Sequence, residues 1–245
     1  MATAANTAMA RMRADRIFYS GVPLVAALIV FTGFARSWFL RPFGTVPRGF
    51  GPLTPLLAIH GTMFTLWMAL MVTQPLLIAS GNRSLHRSLG YAGAALATLM
   101  VLIVPIVTIH SMRTGGVSAF PTIYLFSAVN AIGILTFAVT MAYLVAWRKR
   151  AEYHKRLALL ALIPFIPPAL GRTPGVNALM PLSGFGGADL ILLAGIAYDW
   201  KVRGKVHRVW KVGGLLTIVS QIVMFPVGFS APWKEFSDWA MRLPV

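Results

Sequence analysis

Seven long apolar runs, at 17–35, 53–79, 89–109, 121–147, 157–170, 179–200 and 212–229, leave little of this 245-residue chain for anything else. Crossing ~30 Å of hydrocarbon at 1.5 Å per residue takes about 20 apolar residues. The runs therefore predict an all-α fold, a polytopic integral membrane helical bundle of about seven transmembrane helices, because a helix satisfies its own backbone where no water can. The fifth run is short and contains Pro164, Pro167 and Pro168, and the sixth opens through Ser183-Gly184-Phe185-Gly186-Gly187, so both are expected to be kinked or partly unwound. Only 11% of residues are charged, against roughly 25% in an average soluble domain, which excludes a water-soluble globule. That figure also decides how the net charge of +16 is read. A nucleic-acid binder gathers its basic residues on a polar face, whereas here Lys and Arg stand in short clusters between apolar runs, and no nucleic-acid partner is expected. With no cysteine, disulfides, thiolate metal sites and cysteine nucleophiles are ruled out.

Orientation follows from the basic residues of the short loops, which are enriched on the cytoplasmic side. With the N-terminus inside, Arg11, Arg13, Arg16, Arg83, Arg87, the group from Arg148 to Arg156 and the group from Lys201 to Lys211 place 15 of the 22 on that side. The other 7 are Arg36, Arg41, Arg48, Arg113, Arg172, Lys234 and Arg242. The expected topology is N-inside and C-outside. Residues 1–245 form a single transmembrane domain, with a short cytoplasmic segment at 1–16 and a short outer tail at 230–245. The first run is expected to be retained, since Phe18-Tyr19 and Trp38-Phe39 supply interfacial aromatics at both ends.

Polar groups inside a membrane mark candidate functional positions. His60, Trp67 and Gln74 follow one another at seven-residue steps, ~20° short of two helical turns, and so share one face of the second span. His60 and His110 lie about 20 residues from the cytoplasmic ends of adjacent spans, ~30 Å by helix rise, which makes a shared ligand role one reading and separate packing roles the other. The remaining histidines repeat a context. Leu85-His86-Arg87, Tyr153-His154-Lys155-Arg156 and Val206-His207-Arg208 each stand where the chain re-enters the membrane from the cytoplasm. Two readings follow: basic triplets that hold anionic lipid headgroups, or imidazoles that converge on a haem iron, another metal or a quinone headgroup. The candidate metal ligands are thus His60, His86, His110, His154 and His207, with Gln74, Arg87 and Arg156 as further cofactor contacts.

Of the six acids, Asp189 alone is expected within the bilayer, in an ion pair with Arg172 or as a proton-relay carboxylate; Asp199 is expected to form a local salt bridge among Lys201, Arg203 and Arg208. HExxH and HxxxH pairs, phosphate loops and visible inverted repeats are all missing, and no lysine stands in the seventh run to form a retinal Schiff base.

The strings Ile59-His60-Gly61-Thr62-Met63-Phe64-Thr65-Leu66-Trp67-Met68, Leu85-His86-Arg87-Ser88-Leu89-Gly90 and His154-Lys155-Arg156-Leu157, with the Pro-rich fifth run ending in Arg172, resemble a family of uncharacterised bacterial multi-span membrane proteins. A looser similarity runs to b-type transmembrane cytochromes and ferric-reductase-like proteins, in which a histidine followed by a Leu-Gly step at a helix entrance ligates haem; it maps onto His86. The resemblance implies a multi-pass protein of the bacterial inner membrane. The leading expectation is that it binds haem b or a quinone and transfers electrons, with bis-imidazole ligation by His60 and another outer residue or by His86 and His154, and with Arg87, Arg156 and Arg208 facing haem propionates. The alternatives are a non-enzymatic subunit, a scaffold or lipid-binding protein that binds anionic headgroups, and a small transporter using the His60 face and Asp189. A redox partner and a homo-oligomer fit the first expectation.

Overall fold

The computed structural model describes residues 2–44, 46, 51–115, 120–176 and 182–244. Its order is α1 (Ala2–Phe34), a π-helical turn (Ala35–Phe39), α2 (Pro55–Ala79), α3 (Arg83–Thr114), α4 (Ile123–Ala146), α5 (Ala151–Leu160), α6 (Ile166–Leu170), α7 (Leu182–Arg203), α8 (Arg208–Phe229) and α9 (Ala231–Ala240). No strand occurs among the described residues. Several helix starts are written in the sequence: Thr54 accepts from Leu57 N, Asn82 from Leu85 N and Thr122 from Leu125 N, the side-chain caps that satisfy otherwise orphaned amides. Gly115 ends α3 in the left-handed conformation, where a side chain is strained.

Among the described residues, five helices are long and apolar enough to cross a membrane: Ala8–Phe39, Pro55–Ala79, Arg83–Thr114, Ile123–Ala146 and Arg208–Phe229. The other two expected spans differ from these. The fifth run is broken as anticipated: α5 stops at Leu160, a single 3-10 turn covers Ile163–Phe165 around Pro164, and α6 resumes only for five residues. Proline removes amides that a continuous helix would need. The sixth run is not unwound at its glycines; Leu182–Arg203 is one helix, but Ser183, its glycines, Asp189 and Asp199 dilute its hydropathy. The expected beginning of that run at 179–181 lies outside the described residues, as do Arg48, Met1 and Val245.

The broken segment nonetheless runs alongside α1 from Asp15 to Phe34. At one end Lys155 of α5 reaches Asp15 of α1, and at the other Arg172, just past α6, lies over the Phe34 ring at 4.6 Å. Gly33 is what allows the second approach, because a Cβ there would collide with the Ala169 backbone oxygen. Along the middle, Trp67, Phe137 and Phe165 form a buried aromatic core with ring separations of 5.3–6.4 Å. Trp67 is only 2% exposed, so the face shared by His60, Trp67 and Gln74 does look into the bundle.

The expected tail at 230–245 is an ordered element. Trp233 Nε1 donates to Tyr124 O and Ser127 Oγ, Tyr124 OH donates to Asp238, and Arg113 Nε donates to Met241 O, so α9 is bound to α3 and α4. Its apolar positions at Trp233, Phe236 and Trp239 place aromatics along one side, the composition of an interfacial helix.

Candidate functional site

Two of the three entrance histidines meet. His86 and His154 are each the fourth residue of their helices, α3 and α5, and their ring centroids lie 6.2 Å apart at an interplanar angle of 84°. Each ring is fixed from behind by the helix that precedes it. His154 Nδ1 donates to Leu144 O at 3.0 Å. His86 Nδ1 donates to the backbone oxygen of Gln74 at 3.3 Å. In both rings the anchored atom is Nδ1, which leaves Nε2 as the atom able to ligate. Such outer hydrogen bonds set the tautomer and orientation of ligating imidazoles. Burial, countered in part by the Leu144 hydrogen bond and reinforced by His86, keeps His154 below the ordinary histidine range, hence neutral at physiological pH. Gln74, singled out for its seven-residue spacing from His60, thus acts on His86. Arg87 is exposed beside this pair.

The other candidates go elsewhere. His207 caps α8 by accepting from Val209 N and packs edge-on against Tyr153 at 4.6 Å, so the three entrance imidazoles do not converge. His60 packs against Phe64 with ring centroids 4.1 Å apart and the planes tilted by 34°, and no ring contact joins it to His110 among the described residues. Among the described residues no group of three or more His, Asp or Glu side chains is placed to hold a metal ion. Asp189 accepts from Gln221 Nε2 at 2.9 Å in place of the expected pair with Arg172.

Arg156 requires a larger correction. Expected beside a cofactor, it is fully buried, and its guanidinium is taken up by Asp199, also fully buried, and by Glu152. Around this pair a network gathers from α1, α5, α7 and the start of α8. Arg203 donates to both oxygens of Asp15 at 2.6 and 2.7 Å, Tyr198 OH and Lys155 Nζ donate to the same carboxylate, and His207 N donates to Asp199. Asp15, Glu152 and Asp199 against Lys155, Arg156 and Arg203 is a balanced set of six charges. The local reading of Asp199 captured only Arg203, four residues on.

This end of the bundle should be acid-sensitive. Burial and then the Arg156 charge depress His207 below its ordinary 6.5, and His154 is depressed as well. Burial raises Glu152, but hydrogen bonds from Lys155 and Arg156 outweigh it and hold the carboxyl below 4.5. Each group binds a proton more readily in the unfolded chain, so stability rises with pH across each window. The thermal unfolding midpoint in detergent is expected to be flat above about pH 6.5, to fall below it as the histidines charge, and to fall again below about pH 4.5. A midpoint rising on acidification through 6.5 would contradict the assignment.

Comparison with known proteins finds no matching family model, no matching curated protein and no matching solved structure.

Proposed function

We propose that this chain is an electron-transfer protein of the bacterial inner membrane that holds haem b between His86 and His154. In this reading the chain crosses the membrane seven times with its N-terminus inside; five crossings are the long apolar helices, and α5–α6 and α7 make the other two, shielded by the bundle. The observation that carries the proposal is the imidazole pair. His86 and His154, with ring centroids 6.2 Å apart at an interplanar angle of 84°, are the residues that would hold the haem iron. Anchoring of both Nδ1 atoms supports the same role, since it leaves Nε2 as the ligating atom on each ring.

Haem b, when bound, supplies a one-electron couple. The chain's own residues fix the imidazoles through Gln74 and Leu144, keep His154 neutral by burial, and offer Arg87 to a propionate, while Arg156 belongs to the ion network. A quinone or a redox protein is the expected electron partner.

The test is an oxidised-minus-reduced visible spectrum of the detergent-purified protein expressed with added hemin. Soret and alpha bands are expected in the wild type and are lost in His86→Ala and in His154→Ala, but kept in His110→Ala. A colourless wild type, or bands that survive both substitutions, overturns the proposal.

A further inference from the structure

A recess opens in the apolar flank of the bundle at the end away from the histidine pair. Its walls come from α3, α4 and α9, and include Pro105, Ile109, Ala131, Ile134 and Ala240; it holds about 240 Å³. An apolar cavity of about 150 Å³ already binds benzene, so this one has room for a longer hydrocarbon. Three hydroxyls reach the walls, and all three are engaged within the chain. Thr108 Oγ1 donates to Val104 O and Ser127 Oγ to Tyr124 O, each at 2.8 Å, and the Ser127 and Ser237 hydroxyls share a hydrogen bond at 3.1 Å. The Trp233 indole N–H, on the same wall, is taken up by Tyr124 O and Ser127 Oγ. A polar ligand would have to break these bonds, whereas a hydrocarbon needs no partner for them.

The recess continues the surface that a membrane would cover. Two of its walls, α3 and α4, are long and apolar enough to cross one. Ile106, beside Pro105, and Leu135, beside Ile134, are exposed apolar residues on those helices, so the surface leading into the recess is apolar as well. At the other side α9 closes it, with Phe236 and Trp239 about half exposed along its rim. Arg113, at the end of α3, ties this cap down by donating to Met241 O at 2.8 Å and to Leu243 O. Lys234 lies over the Tyr124 ring at 5.7 Å and is exposed, while Asp238 accepts from Tyr124 OH. An interfacial helix that presents aromatics and a cation suits the boundary between acyl chains and phosphates.

We propose that this recess is a lipid site, seating one acyl chain of a membrane phospholipid between α3 and α4 beneath α9, with the phosphate beside Lys234. The chain gives the recess walls the close contacts that side chains supply elsewhere in the bundle. Lipid and α9 then stabilise each other, because α9 supplies one wall of the site. The inference rests on the chain's lying in a membrane and not on the haem reading.

The experiment is photolabelling of the full chain in phosphatidylcholine vesicles that carry a trace of phosphatidylcholine with a mid-chain diazirine, followed by peptide mapping. Label is expected to concentrate on the peptides that hold Ile109, Ala131 and Trp239, above its level at the exposed Leu24 and Leu28 of α1. Ala131→Leu on α4 and Ala240→Leu on α9 fill the recess from different helices, so that a misfolded variant of one leaves the other as the test. In each, recess label relative to α1 label should fall about tenfold, the equivalent of roughly two buried methylenes. His86→Ala should leave the pattern unchanged, which separates this site from the haem proposal. Label spread evenly over α1 and the recess, or recess label that survives both filling variants, overturns the inference. A recess labelled less than α1 is covered by protein, a second copy of this chain included, and overturns it as well.

Discussion

Replacing Asp199 with alanine is expected to remove about 3–5 kcal/mol of stability, the largest loss from any single substitution outside the aromatic core. The size comes from what is left behind. Arg156 and Asp199 are both completely buried, and the carboxylate takes two hydrogen bonds from the guanidinium, one from Arg203 and one from the backbone of His207. Without Asp199, Glu152 remains as the counter-charge of Arg156, and its side chain is 53% exposed. Desolvation of the cation is then poorly compensated, which is why breaking a buried pair costs more than the pair contributes. Two comparisons make the argument specific. Glu152→Gln, at an exposed carboxylate, should cost no more than about 1 kcal/mol. The double variant Arg156→Met with Asp199→Leu, which removes both charges together, should recover most of the loss. Denaturation in mixed detergent measures all three. If Asp199→Ala costs as little as Glu152→Gln, water reaches the guanidinium and the pair is not desolvated.

That network shows where the sequence was legible and where it was not. Apolar runs announce α1, α2, α3, α4 and α8 because each crossing helix must be apolar along its own length, a property contained in consecutive residues. The break in the fifth run was legible for the same reason, since Pro164, Pro167 and Pro168 act on their own backbone. The pairing of His86 with His154 was also within reach: both follow a short turn between helices, and both stand at the same place in their helices. Long-range partners were not. Asp15, Arg156 and Asp199 are separated by more than a hundred residues at the extremes, and a basic cluster at a helix entrance looks the same whether it meets lipid or a buried carboxylate. Charge scarcity was the one available signal. Three of only six acids fall next to basic clusters at one membrane face, in Asp15, Glu152 and Asp199. The helix within the tail was not legible because ten amphipathic residues such as those of α9 are too short to signal a span, and its hydrogen bonds to Tyr124 and Ser127 are tertiary.

His154→Met separates a haem ligand from a hairpin staple more sharply than alanine does. Both roles are compatible with the observed bond from Nδ1 to Leu144 O, and alanine abolishes both. Methionine keeps much of the volume and supplies a thioether, which can ligate haem iron but cannot replace the hydrogen bond to a carbonyl. If His154 is an axial ligand, the methionine variant should retain a reducible chromophore. Its midpoint potential should rise by on the order of 0.1 V, because His/Met ligation lies above bis-histidine within the roughly 0.8 V that axial ligands span. A staple alone gives a different result: the thioether leaves Leu144 O without its donor, stability falls by about 1–3 kcal/mol, and no potential shifts. The opposite substitution supplies an internal reference. Gln74→Leu changes the side chain but leaves in place the backbone oxygen that holds His86, so the chromophore should persist with a smaller change in potential. Redox titration of the alpha band in the three proteins reads the order directly. A methionine variant whose spectrum and potential match those of the wild type would remove His154 from the ligand set, while the network built on Asp199 would stand unaffected.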